Sequence, residues 1–363
     1  MTPYFKPGQT RFMQLGQYTL PNSLFVAPMA GVTDRPFRML CKRLGAGYAV
    51  SEMVTSKRDL WKSLKTSRRA NHEGESAPIA VQIAGVDPFE MAEAARYNID
   101  RGAQIIDINM GCPAKKVCTK WAGSALMQDE RLAIEIVSAV VQACSAQNVP
   151  VTLKMRTGWC AANKNAPQLA YAAQEAGVAM LTVHGRTREQ GYKGKAEYAT
   201  VAAIKSKLRI PVVANGDIDS PRKALEVLRL TGADALMVGR AAQGRPWIFG
   251  DIAHYLTTGQ ARAEPQTSQV RAWMLEHLHD HYGLYGEASG VKSARKHIAW
   301  ATQELPGGRH FVQTMNLIDD AQTQFRAVGD WFEAMADRHP QLPKLPPQTI
   351  EYAADVSLSE QPA

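Results

Sequence analysis

The chain has 363 residues, 45% of them hydrophobic, with 42 Lys+Arg against 34 Asp+Glu and a formal charge of +8. That composition supplies a sizeable core and excludes an acidic or solvating chain, while the positive balance favours an anionic partner without saying anything about fold. Five scattered cysteines show no C-x-x-C pair and no zinc spacing, which argues against a disulfide framework and a structural metal.

The first twenty residues lack the apolar centre of a signal peptide. The longest apolar run, Ala133 to Cys144, is broken by Glu135 and falls short of the ~18 residues a membrane span needs. A cytoplasmic protein with no membrane partner is expected.

From Leu24 onward, short apolar runs alternate with amphipathic segments. The runs are Leu24–Gly31, Ala46–Met53, Ile79–Gly85, Ile105–Gly111, Val151–Gly158, Met180–Arg186, Pro211–Ile218 and Ala233–Ala241. Near-continuous hydrophobic strands separated by helices predict a parallel sheet, and eight such units predict a closed TIM (β/α)8 barrel of the α/β class. Each run ends in polar residues or glycine, at the rim where barrel enzymes place their chemistry. Beyond about residue 250 only helical periodicity remains. Val270, Trp273, Met274, His277, Leu278 and His281 share one face, and Phe311, Met315, Ile318, Phe325 and Phe332 share another. The expected organisation is a catalytic barrel over 1–250, a small all-α helical bundle over 251–338 and a disordered, proline-rich tail over 339–363.

Several rim residues suggest chemistry. Asn215, Gly216, Asp217, Gly239 and Arg240 end the seventh and eighth strands, where barrels commonly bind phosphate. Gln82, Lys154 and His184 end strands three, five and six. An amide and a cation there suit a flat flavin, whose pyrimidine edge needs hydrogen bonds and whose reduced form is anionic. Cys112 follows a strand, is itself followed by Pro113, and shares its loop with Lys115, Lys116 and Lys120. These lysines are expected to lower the thiol pKa, and the residues alone leave open whether the cysteine is an acid or a nucleophile. Further basic clusters lie at Lys57–Arg69, at Arg186–Lys195 and on one helix face with Lys292, Arg295 and Lys296. A phosphate backbone lying across both parts would explain them.

The motifs APMAGVTDRPFR (27–38), SEM (51–53), VQIAG (81–85), DINMGCPAKKV (107–117), GSALM (123–127), LKMRTGW (153–159), VHGRTREQGYKG (183–194), NGDI (215–218) and GRAAQGRPWIF (240–249) resemble those of the tRNA-dihydrouridine synthases. The details look closest to the bacterial B-type branch, and the resemblance runs from about residue 14 to 335. It implies a flavin-binding TIM barrel with a helical tRNA-binding domain, FMN as cofactor, NADPH or NADH as reductant, and reduction of D-loop uridines to dihydrouridine. By the same resemblance Cys112 is the acid that protonates C5 while hydride reaches C6. Pro28, Met29 and Ala30 would back the flavin ring, Gln82 and Lys154 would bind it, and His184 would lie against it. Asn215, Gly216, Asp217, Gly239 and Arg240 would hold its phosphate. Asn109, Arg156 and Arg186 would meet the uracil or nearby phosphates, with Lys292, Arg295 and Lys296 on the tRNA. A monomer is expected. The competing readings are a small-molecule FMN reductase on the same barrel and a tRNA-binding chaperone without catalysis.

Overall fold

The computed structural model describes residues 12–119 and 122–344, the side chains of Lys115 and Lys116 excepted. A short hairpin, β1 (Met13–Leu15) and β2 (Tyr18–Leu20), precedes nine parallel strands. These are β3 (Leu24–Val26), β4 (Tyr48–Ala49), β5 (Val54–Thr55), β6 (Ala80–Ala84), β7 (Ile105–Met110), β8 (Val151–Arg156), β9 (Met180–His184), β10 (Val212–Asn215) and β11 (Ala235–Val238). Their order is β4-β3-β11-β10-β9-β8-β7-β6-β5. The second barrel strand is split into β4 and β5. Val50 bridges Ala80 in parallel, and the Ser51 N–H donates to the Ala80 carbonyl at 3.0 Å, which closes the cylinder. All eight predicted runs contribute to the TIM barrel.

The connecting helices are α1 (Arg35–Arg43), α2 (Leu64–Ala70), α3 (Pro88–Ile99), α4 (Lys115–Cys118), α5 (Glu130–Ser145), α6 (Ala166–Glu175), α7 (Ala199–Lys205), α8 (Pro221–Thr231) and α9 (Ile248–Thr258). Local chemistry starts them. Asp34, Asp87, Asp129 and Ser220 each accept a backbone N–H in the first turn, and α1, α3, α6 and α8 carry proline there.

Strand parity divides the barrel into two environments. Leu24, Val81, Ile106, Leu153 and Leu236 point outward to the helices. Phe25, Ile105, Met180 and Val213 form an inner cluster at the strand starts, and Leu15 and Leu20 of the hairpin join it. The hairpin therefore seals the lower end, each buried leucine contributing roughly 1.5–3 kcal/mol. Further along the strands the inward positions become polar: Asp107, Thr152 and Thr182, then Asn109, Lys154, His184 and Asn215.

The helices α10 (Thr267–Tyr285), α11 (Glu287–Thr302), α12 (Gly308–Met315) and α13 (Ala321–Arg338) build a second core from Val270, Met274, Leu278, Ile298, Met315 and Phe332. Both predicted helix faces contribute to it. Two expectations change. The boundary expected at 250 falls inside α9, whose Ile248, Phe249, Ile252 and Leu256 belong to the barrel core. The tail is ordered at its start, because Leu342 is buried in the bundle core, its N–H donating to the Pro265 carbonyl at 3.0 Å. An apolar side chain two residues past Pro340 found a groove that periodicity alone does not reveal. The rest of the tail, from 345 onward, lies outside the described residues, as does Lys120. Among the described residues no helix is long and apolar enough to cross a membrane.

Candidate active site

The parallel register fixes which polar side chains meet at the mouth. Asn109 pairs with Lys154, Arg156 with His184, His184 with Asn215, and Gln82 with Asp107. Gln82 Nε2 donates to Asp107 Oδ2 at 2.7 Å, and Asn109 Nδ2 donates to Gln82 Oε1 at 2.7 Å. Thr152 Oγ1 donates to the other Asp107 oxygen at 2.5 Å. Burial pushes the Asp107 carboxyl up to about 6, against hydrogen bonds from Thr152 and Gln82 that would lower it. Gln82 keeps one further N–H and one further lone pair for a ligand.

Asn109 also controls the cysteine loop. Its Oδ1 accepts the N–H groups of Gly111 and Cys112 at 3.1 and 3.0 Å, and Ser124 holds the Cys112 carbonyl at 2.8 Å. Asn109, expected at the uracil, thus spends its amide on Gln82 and on the loop. Arg156 is engaged in the same way. Its guanidinium donates to the carbonyls of Gly111, Thr187 and Gly191 at 2.7–2.8 Å, which ties the cysteine loop to the loop after β9.

The Cys112 thiol pKa is raised. Burial raises it, and the nearby Arg156 and Lys154 only partly offset that. This overturns the expectation of a lowered value, since desolvation of the thiolate outweighs the cations. A protonated thiol at neutral pH can donate a proton.

Lys154 Nζ donates to Asn215 Oδ1 at 3.0 Å. Burial and the neighbouring Arg156 bring its pKa down to about 8, so it remains mainly cationic at pH 7. His184 is held neutral, its pKa driven well below the ordinary value by burial and then by Arg156, Lys154, Arg186 and Arg240. Its Nδ1 is buried with no hydrogen-bond partner.

Arg186, expected at the substrate, is fully buried. It grips Asp217 through two hydrogen bonds of 2.9 and 2.7 Å and the Gly194 carbonyl at 2.6 Å. Arg240 shares the Asp217 carboxylate at 3.1 Å, and the Ala196 N–H adds 2.8 Å. The Asp217 side chain therefore positions two arginines, leaving backbone and Arg240 as the groups that suit a phosphate. Gly216 adopts φ +121°, and a Cβ there would stand 2.8 Å from Ala196 Cβ. Only glycine fits that turn. Gly239, beside it, would bring a Cβ to 3.4 Å from Met29 Sδ, so the loop of Pro28, Met29 and Ala30 lies against the end of β11.

In the described basic clusters some side chains are pinned and others are exposed. Arg68 donates to the Tyr285 carbonyl at 2.6 Å, and Arg69 pairs with Glu52 at 3.4 Å. Arg295 pairs with Asp319 at 2.6 Å, and Lys296 donates to the Gly31 carbonyl. Lys193, Lys195 and Lys292 are exposed. The sequence reading passed over Tyr192, an exposed ring 5.6 Å from the Arg156 guanidinium and 5.2 Å from that of Arg240. An aromatic residue inside a basic loop was the available signal.

Comparison with known proteins adds four findings. The family model described as "Dihydrouridine synthase (Dus)" matches residues 25–337. The tRNA-dihydrouridine synthase B of Xanthomonas axonopodis pv. citri is 56% identical over 323 residues, 89% of this chain and 96% of that protein. Its counterpart from Vibrio parahaemolyticus is 54% identical over 89% of this chain and the whole of that one. Among solved structures, a 2-naphthoyl-CoA reductase complex superposes with a TM-score of 0.55 at 12% identity, covering 91% of this chain and 69% of that one, a likeness of fold alone.

Proposed function

The chain belongs to the dihydrouridine synthase family, and on that premise we propose that it reduces the C5=C6 bond of D-loop uridines in tRNA, with FMN as hydride carrier and NADPH or NADH as electron source. The observation that carries this reading is the placement of Cys112, its backbone N–H held by Asn109, beside strand ends that present Gln82, Lys154 and His184.

These residues fit a flavin mononucleotide. The unpartnered His184 Nδ1, the remaining amide valences of Gln82 and the Lys154 ammonium offer hydrogen bonds and charge to its ring. Pro28, Met29 and Ala30 would back that ring. The backbone of Asn215, Gly216, Asp217 and Gly239, with the Arg240 guanidinium, would take its phosphate. When bound and reduced, the group supplies the hydride for C6. Cys112 donates the proton to C5, and the raised thiol pKa keeps that proton in place at neutral pH. Asn109 and Arg156 position the cysteine loop; Lys154 holds positive charge at the mouth.

A uridine must leave its stack to reach this depth, at a cost of a few kcal/mol. Exposed lysines on the barrel loops and on α11 supply phosphate contacts that offset it. We assign catalysis to the barrel and tRNA binding to α10–α13, divided in the 259–266 stretch, in a cytoplasmic monomer. The test uses tRNA from a strain lacking the enzyme. Cys112→Ala should bind flavin and tRNA normally yet form dihydrouridine about 10²–10⁴-fold more slowly; an unchanged rate in that variant would overturn the proton-donor role.

A further inference from the structure

Away from the barrel mouth, four ionisable side chains meet where the bundle docks on α1. Asp34 caps α1, its Oδ1 accepting the Phe37 N–H at 3.1 Å. His277 and His281 lie one turn apart on α10 and face the same way. His297 comes from α11. Ring centroids are 4.8 Å apart for His277–His297 and 5.4 Å for His281–His297. The four residues are 0%, 4%, 1% and 3% exposed in chain order. Asp34 Oδ2, His277 Nε2, His281 Nδ1 and His297 Nε2 are all buried without a hydrogen-bond partner. Four such orphans in one place are costly unless something occupies the space between them.

Ser293 Oγ lies 2.7 Å from both His281 Nε2 and the Ser289 carbonyl. When its single proton goes to the carbonyl, His281 Nε2 donates and the Nδ1 lone pair faces Asp34 Oδ2 at 3.4 Å, an arrangement that a cation between the two atoms completes.

We propose that Asp34, His277, His281 and His297 form a site for one divalent transition-metal ion, zinc being the best match, which clamps α10 and α11 to the start of α1. Three imidazoles and one carboxylate make a tetrahedral zinc set. The 3.4 Å separation is close to a tetrahedral edge for bonds of about 2.0–2.1 Å. One ring nitrogen from each histidine lies within 4.8 Å of the others, so binding draws the rings inward. Burial lowers the pKa of His277 to about 4 and that of His297 well below its ordinary value, which keeps both in the neutral form that ligates. The Ser293 contact to His281 is the outer-shell hydrogen bond that metal-binding histidines characteristically make. A cleft of about 360 Å³, lined by Pro36, Leu40, His277 and Asp280, borders the cluster and gives access.

The test titrates Co²⁺, then Zn²⁺, into the chelator-treated full-length protein. One Co²⁺ per chain is expected, with visible bands of a tetrahedral nitrogen/oxygen site and no thiolate charge transfer, displaced by Zn²⁺. Affinity should fall about 100-fold or more in His297→Gln and in Asp34→Asn, and added Zn²⁺ should raise Tm in the wild type but in neither variant. Asp34→Asn retains a capping side chain, so it reports on the metal even if the histidine variant misfolds. No stoichiometric uptake by the wild type, thiolate bands, or unchanged affinity in folded Asp34→Asn would overturn the proposal. The first of those results would leave a proton shared between His281 and Asp34 as the cation.

Discussion

Two polar clusters lie inside this molecule, and they are built differently. At the barrel mouth, Gln82, Asp107, Asn109, Lys154 and Asn215 come from neighbouring strands and hydrogen-bond to one another. At the junction of barrel and bundle, Asp34, His277, His281 and His297 present orphan atoms to a shared centre. The first is a completed network that holds its members still and leaves selected valences for a ligand. The second is unfinished as a set of protein groups alone. A rigid site and an incomplete one make different demands on substitution.

The largest expected effect belongs to the mouth. Cys112→Ala should lower dihydrouridine formation by about 10²–10⁴ in single turnover, the usual worth of a positioned acid. A small loss would mean that the network can lose its acid without consequence, and the contrast with the junction would weaken. Next comes Asp107. Its folded pKa of about 6 exceeds the ordinary carboxyl value near 3.8, so the folded state binds the proton more tightly. The resulting stability is complete below about pH 4 and lost as pH rises to about 6, a change on the order of 3 kcal/mol. Urea midpoints at pH 4 and pH 7 should therefore show wild type and Asp107→Asn diverging in their pH dependence; parallel curves would remove the carboxyl from the network. Gly216→Val should cost about 1–3 kcal/mol through its positive φ and the close Ala196 Cβ. The same variant should purify with less flavin, read from visible absorbance. The smallest effect is expected at the exposed Lys292. Lys292→Ala should weaken tRNA binding slightly and reduce the salt slope by about 1, measured in a salt series. Its helix neighbour Lys296, docked on the Gly31 carbonyl, should instead affect how the bundle sits.

The same contrast explains what the sequence disclosed. Strand parity places Gln82, Lys154, His184 and Asn215 at one rim, because period two and parallel register leave little choice. Partner carbonyls are set by loop paths, so the sequence showed Arg156 and Arg186 at strand ends but not that both are engaged in holding loops. The thiol pKa went the other way for a similar reason: nearby lysines are visible in a sequence, whereas depth is not. Helix α9 escaped the barrel because it follows the last strand, and nothing in the alternation marks an eighth covering helix. The shared face of His277 and His281 was legible, but His297 and Asp34 join them only through tertiary packing. Their separation along the chain matches no zinc-ligand spacing.

Among the described residues, the hairpin plug closes the foot of the cylinder and leaves the mouth as the doorway. On the proposed reading, the nicotinamide that delivers electrons and the nucleic acid that receives them must use that doorway by turns. Each half of the cycle then ends with a departure, and a bulky RNA slow to leave would set the pace of the whole.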